Sequence, residues 1–232
     1  MLQIKHWTIP DHPPELPRAG SLDIWMLDSS GFKSGLSALL SADEKSRLNS
    51  IIRTADREQF ANTRGSLRII LSSYTGLAPE HIQFRYNKKG KPLIAHTDTP
   101  LHFNLSHSGS LALLAISATS PVGIDLEQPS ARKNLPRIAR KVFGQAWVKS
   151  RLELDANQFK DAFFSNWTQL EAKVKALGEG VFSRSDRHNE IPCVNFSPRI
   201  DWYAAIAVDG PMPTPESWTT YQFSPDLVTQ IG

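Results

Sequence analysis

The local signals run through this chain twice in the same order: an apolar strand, long helical periodicity, then short strands. LDIWML at 22–27 reads as the first strand. Ser41-Ala-Asp-Glu44 is a capping box, which opens a helix by satisfying its free amide groups. A second helix is predicted over about 56–75, where Phe60, Leu67, Leu71 and Tyr74 make an apolar side and Gly76 ends it. Strands follow near 82–86, 101–105 and 111–117, with a turn at Ser108-Gly109 between the last two. VGIDLE at 122–127 begins the second pass, which continues through helical segments at about 134–154 and 157–177. It closes on strands near 192–196, 202–208 and 218–223. No clear residue-level repeat joins the passes, so the shared order carries the inference. It predicts an α+β fold of two similar halves, residues 1–118 and 119–232, with a ligand site between them. The proline-rich stretches 10–20 and 211–217 are expected to be irregular.

Composition narrows the function classes. A net charge of +3 and a pI near 9.0 are too mild to argue for nucleic acid, but suit a polyanionic ligand or an acidic partner. The apolar run Leu111–Ile116 is far short of a membrane span, and MLQIKHWTIP lacks the apolar core of a secretory signal. Cys193 is the only cysteine, so no internal disulfide can form; it reads as a small buried hydrophobe. Together these predict a cytoplasmic protein with no membrane association.

Several short motifs carry groups suited to phosphate or metal chemistry. Asp125 and Glu127 stand two apart on a strand and so project to one face. Two carboxylates held together repel unless a cation lies between them, and Mg²⁺ takes a few carboxylates with phosphate and water. Spacing alone equally describes a solvated strand end. On the helix at 157–177, Phe159, Phe163, Trp167, Leu170, Val174 and Leu177 are expected to form a buried stripe. Thr168, Glu171 and Lys175 fall on a neighbouring ridge, where Glu171 and Lys175 are either a surface ion pair or a third acid and a phosphate contact. FNLSH (103–107) places Ser106 and His107 where a strand meets a turn, and both can donate to phosphate. NKKGKP (87–92) is a basic turn without P-loop spacing. Arg64 and Arg68 share a ridge of the second helix, and Arg47 lies on the capped one; each alone reads as a surface residue.

The order of these motifs along the chain is more specific than any one of them. GKP (90–92), FNLSH, GIDLE (123–127) and WTQLEAKVKALGEG (167–180) together resemble the Sfp-type phosphopantetheinyl transferases, over roughly residues 40–180. Trp167, Glu171, Ala172, Lys175 and Gly178 match the family pattern W-x-x-K-E-A-x-x-K-x-x-G. The resemblance implies two α+β halves with coenzyme A between them; the two-half architecture itself suggests a monomer.

It also implies transfer of 4′-phosphopantetheine from coenzyme A to a serine of an acyl or peptidyl carrier protein, releasing 3′,5′-ADP. By that resemblance Asp125, Glu127 and Glu171 would hold Mg²⁺, while Lys91, Ser106 and His107 would bind the 3′-phosphate and adenosine end. Arg47 and Arg64 would join that group, Lys175 would contact the phosphate of the breaking bond, and Glu171 would act as base. The chain departs from the pattern at Leu170, where the family carries lysine. That departure leaves a weakened coenzyme A- or carrier-binding protein as the alternative. A metal-dependent phosphodiesterase built on the acidic cluster is a second rival, but leaves FNLSH and GKP unexplained.

Overall fold

The computed structural model describes residues 1–29, 35–96, 100–129, 134–180 and 186–227. After a short β1 (Leu2–Gln3), the first pass comprises β2 (Leu22–Asp28), α1 (Ala42–Ser50), α2 (Thr54–Thr75), β3 (Phe84–Tyr86), β4 (Pro92–Ile94), β5 (His102–Ser108) and β6 (Leu111–Ser117). The second comprises β7 (Val122–Glu127), α3 (Leu135–Phe143), α4 (Gln145–Lys149), α5 (Ala156–Leu177), β8 (Cys193–Ser197) and β9 (Tyr203–Val208), and is followed by β10 (Trp218–Gln222).

The two halves share a topology. In the first sheet β2 pairs antiparallel with β6 and β6 with β5; in the second, β7 pairs antiparallel with β9 and β9 with β8. Each half therefore places its strands in the order first, third, second. The chain ends cross over: β10 adds parallel to β2, and β1 adds parallel to β8.

Alternation along the strands builds the layers. Trp25 and Leu27 of β2 join a core with Leu67, Ile70, Leu71 and Tyr74 of α2, while Leu22, Ile24 and Met26 face Ile124, Phe196 and Ile206 of the second sheet. The far face of that sheet carries Tyr203, Ala205 and Ala207 against α5. The order is helix, sheet, sheet, helix. Strands buried on both faces read as continuous apolar runs, as Leu111–Ser117 does.

Three sequence expectations need correction. The helical stretch 134–154 breaks at Gly144, whose φ of 87° is left-handed, giving α3 and α4. Arg68 is not a surface residue: it is 1% exposed, with Nε on Glu44 and Nη1 on the carbonyls of Pro79 and Ile82. The buried face of α5 holds Phe163, Phe164, Thr168, Ala172, Val174 and Ala176, whereas Leu170 is half-buried and belongs to none of the four cores among the described residues. The reason lies opposite the helix. A Cβ at Gly123 would run into the backbone of Ala172 and Ala176, so β7 lets α5 approach along its small residues, a face that does not include Leu170.

Candidate active site

β5 and β7 are edge strands of different sheets, and they meet along a seam of side-chain bonds. The period of two puts Asn104, Ser106 and Ser108 on one face of β5. Asn104 Oδ1 accepts from the Ile124 amide (2.9 Å), Ser108 Oγ from the Gln128 amide (3.0 Å), and Ser106 Oγ donates to Asp125 Oδ1 (3.0 Å). FNLSH is thus partly a joint between the halves.

Asp125, Glu127 and Glu171 line one cavity of about 280 Å³ with Ser106, His107 and Lys175. Asp125 is 4% exposed. Its Oδ1 receives Lys175 Nζ at 2.6 Å, and Lys175 also donates to Ser106 Oγ at 3.1 Å. Asp125 Oδ2 is buried with no hydrogen-bond partner among the described residues. Burial pushes the Asp125 carboxyl above its usual range, against the pull of Lys175. Glu171 is raised by burial as well; Lys175 lowers it, and the charges of Asp125 and Glu127 raise it further. Glu127 Oε1 accepts from Trp167 Nε1 at 2.9 Å, which ties the second strand carboxylate to α5.

The three acids thus share a cavity, but no group of three or more His, Cys, Asp or Glu among the described residues is drawn together as a metal cage. They nevertheless fit a Mg²⁺ ion. An orphaned buried carboxylate oxygen and mutually repelling acids suit a hard cation that needs few protein ligands once phosphate and water supply the rest.

Beside this cavity runs a groove of about 840 Å³ lined by α1, α2, the β3–β4 turn and β5, and His107 borders both. Arg47 lines the groove with its guanidinium over the Phe60 ring. Arg64 lines it too, but is committed to Glu44 (2.6 Å) and to the Tyr86 hydroxyl (3.1 Å). Partial burial, then the Lys175 charge, hold His107 below its usual pKa. Ser106 belongs with Asp125 and Lys175 rather than with the groove. Lys91 is placed differently from its expected phosphate contact: its ammonium donates to the carbonyls of Val122, Lys175 and Ala176.

Sequence reasoning missed Glu44, Asn87 and Trp167 as polar partners. Glu44 was visible as a capping residue, yet its second role depends on two arginines one turn apart on the next helix.

Residues 24–119 match the family described as 4′-phosphopantetheinyl transferase, N-terminal, and residues 121–206 match the 4′-phosphopantetheinyl transferase superfamily. The chain is 33% identical over 183 residues to the 4′-phosphopantetheinyl transferase HetI of Nostoc sp., covering 77% of each chain. It is 35% identical over 119 residues to the transferase gsp of Aneurinibacillus migulanus, covering 50% of this chain and 46% of that one. To AcpT of Escherichia coli O157:H7 it is 39% identical over 114 residues, 48% of this chain and 55% of the other. With a topology doubled about a seam at which Asp125 meets Ser106 and Lys175, and with these relatives, the chain belongs to the 4′-phosphopantetheinyl transferase superfamily.

Proposed function

We propose that this protein moves 4′-phosphopantetheine from coenzyme A to a serine hydroxyl of an acyl or peptidyl carrier protein, acting as a Mg²⁺-dependent monomer in the cytoplasm. The observation that carries the reading is the Asp125–Lys175–Ser106 node beside Glu171, in a cavity bordered by the same histidine as a long groove. The groove would take the nucleotide end of coenzyme A, with Arg47 and His107 facing its phosphate.

In the reaction the serine oxygen bonds to the β-phosphorus, the bond to the bridging oxygen breaks, and 3′,5′-ADP leaves with the electron pair. A hydroxyl is a poor nucleophile, so a base must take its proton as it attacks. Glu171, raised by burial and by two neighbouring acids, holds a proton more readily than an exposed glutamate and is that base. Lys175 supplies positive charge where negative charge grows on the leaving phosphate. Asp125, Glu127 and Glu171 would hold Mg²⁺, which offsets pyrophosphate charge.

Acidic carriers would suit the surface that follows β7. From Asn134 to Arg151 the sequence has five cations (Arg137, Arg140, Lys141, Lys149, Arg151) and no Asp or Glu. The apolar faces of α3 and α4 pack with Trp167, whose indole holds Glu127, so this surface adjoins the acids.

The test is mass spectrometry of apo acyl and peptidyl carriers after incubation with coenzyme A and Mg²⁺. The expected product is a carrier heavier by one phosphopantetheine. A carrier left unmodified overturns the reading, and 3′,5′-ADP released without a carrier points to a phosphodiesterase instead.

A further inference from the structure

We infer that the Asn87–Lys91 turn of the first half is a clamp that seats the end of α5, with Lys91 a positioning residue rather than a substrate-phosphate contact. This rests on the transferase reading of the site for its kinetic consequences, though not for its geometry.

The last carbonyls of a helix have no partner within it. In α5, Val174 is served by the Glu179 amide (2.8 Å) and Lys175 partly by the Gly178 amide (3.1 Å). The first half supplies more. Lys91 Nζ donates to the Lys175 carbonyl at 2.7 Å, to Ala176 at 3.3 Å and to Val122 at 3.0 Å, and Asn87 Nδ2 donates to Gly178 at 3.1 Å. An ammonium has three protons, so these bonds use all of them. A cation at a helix C-terminus also opposes the helix dipole.

The turn that delivers these groups is itself stiff. Asn87 Oδ1 accepts the amides of Lys89 and Lys91, both at 2.9 Å, and the Gly90 amide donates to the Asn87 carbonyl at 3.0 Å. Gly90 has a φ of 84°, as the turn requires.

The bonds fall where they set the active site. The residue whose carbonyl Lys91 holds, Lys175, is the one whose ammonium lies on Asp125. Glu171 is one turn earlier on α5, and Val122 begins the strand that carries Asp125 and Glu127. One half-buried ammonium therefore ties the helix and the strand to each other. Gly90 and Pro92 also line the groove, so its wall continues into the turn that holds the end of the helix. A Lys91 that turned to a phosphate would give up all three bonds. Partial burial pulls this amine down to about 8.

The experiment compares Lys91→Met and Asn87→Ala with the wild type. Asn87 lines neither the groove nor the acidic cavity, so its variant probes the clamp without touching substrate. Both variants should speed hydrogen exchange of amides 172–178. Lys91→Met should lower kcat by about tenfold or more, since small misplacements of reacting groups are costly. Its ratio of KM for coenzyme A to KM for 3′-dephospho-coenzyme A should match the wild type. Loss of that discrimination, or unchanged exchange at 172–178 in both variants, overturns the clamp. A wild type that modifies no carrier would sink the transferase reading alone, because the exchange comparison still decides the clamp.

Discussion

Lys175 Nζ stands 2.6 Å from Asp125 Oδ1, an ion pair between a quarter-exposed lysine and a carboxylate whose side chain is 6% exposed. The two partners are unequal, so their removal should not be. Asp125→Ala leaves a lysine that water can reach, and the fold should survive while transfer is nearly abolished. Lys175→Met leaves a buried charge with Ser106 as its remaining side-chain donor, which should destabilise on the order of 3 kcal/mol. Urea unfolding of both, with turnover at saturating coenzyme A and limiting Mg²⁺, checks the pair. Wild-type-like turnover by Asp125→Ala would remove it from the proposed metal ligands.

Glu44 divides its carboxylate between two arginines, Oε1 to Arg64 at 2.6 Å and Oε2 to Arg68 at 2.7 Å. Oε2 also accepts the Ser41 amide, so one residue caps α1 and locks it to α2. Glu44→Gln leaves Arg68, 1% exposed, without its counter-charge. The expected cost is about 3 kcal/mol or more. High salt should change the wild-type stability little through this pair, because burial shields it. A shift of a few tenths of a kcal/mol in urea would show that solvent already reaches this network.

What the sequence could and could not reveal follows from the kind of force involved. Leu111–Ser117 and VGIDLE were legible because apolar runs and strand periods are local patterns, and the match to Val122–Glu127 is complete. The acids and Lys175 were legible as one cavity because strand and helix periods put them on facing ridges. Lys91 and Leu170 were not. Lys91 found three carbonyls on the other half, a partner set that no local spacing encodes. Leu170 lies off the packing face because α5 turns Ala172 and Ala176 to Gly123 of β7, a long-range contact that apolar periodicity does not encode.

At Leu170 the structure changes the expected cost of restoring the family lysine. A stripe position would make Leu170→Lys destabilising by a few kcal/mol, as the apolar periodicity suggests. The half-buried placement outside the cores reduces that to about 1 kcal/mol or less, since a lysine stem packs while its head stays wet. If the added cation reaches the phosphate side, as the family pattern implies, KM for coenzyme A should fall. Melting curves with and without coenzyme A, beside kinetics on one carrier, check both parts. A large loss of stability with unchanged KM would restore the packing role.

Asp23 offers a test of the first half that leaves the active site alone. It is 4% exposed, and Tyr74 Oη donates to its Oδ2 at 2.6 Å while Trp25 Nε1 donates to Tyr74 at 3.0 Å. Burial pushes Asp23 up to about 6, against hydrogen bonds from Tyr74 and Thr219 that pull it down. The unfolded chain releases this proton near pH 3.9, so the folded state holds it over a window in which the unfolded state does not. The contribution is therefore full below about pH 4 and is lost as the pH rises through about 6. Asp23→Asn keeps an oxygen for Tyr74 and removes the titration. The difference in unfolding free energy, wild type minus variant, should drop by about 2 kcal/mol between pH 4 and pH 7. Other titrating groups are shared and cancel in that difference. Because Asp23 lies where β10 joins β2, the variant should also protect amides 218–222 better at pH 8 than the wild type does. A difference that stays flat from pH 4 to pH 7 would mean that Asp23 titrates as it does in the unfolded chain.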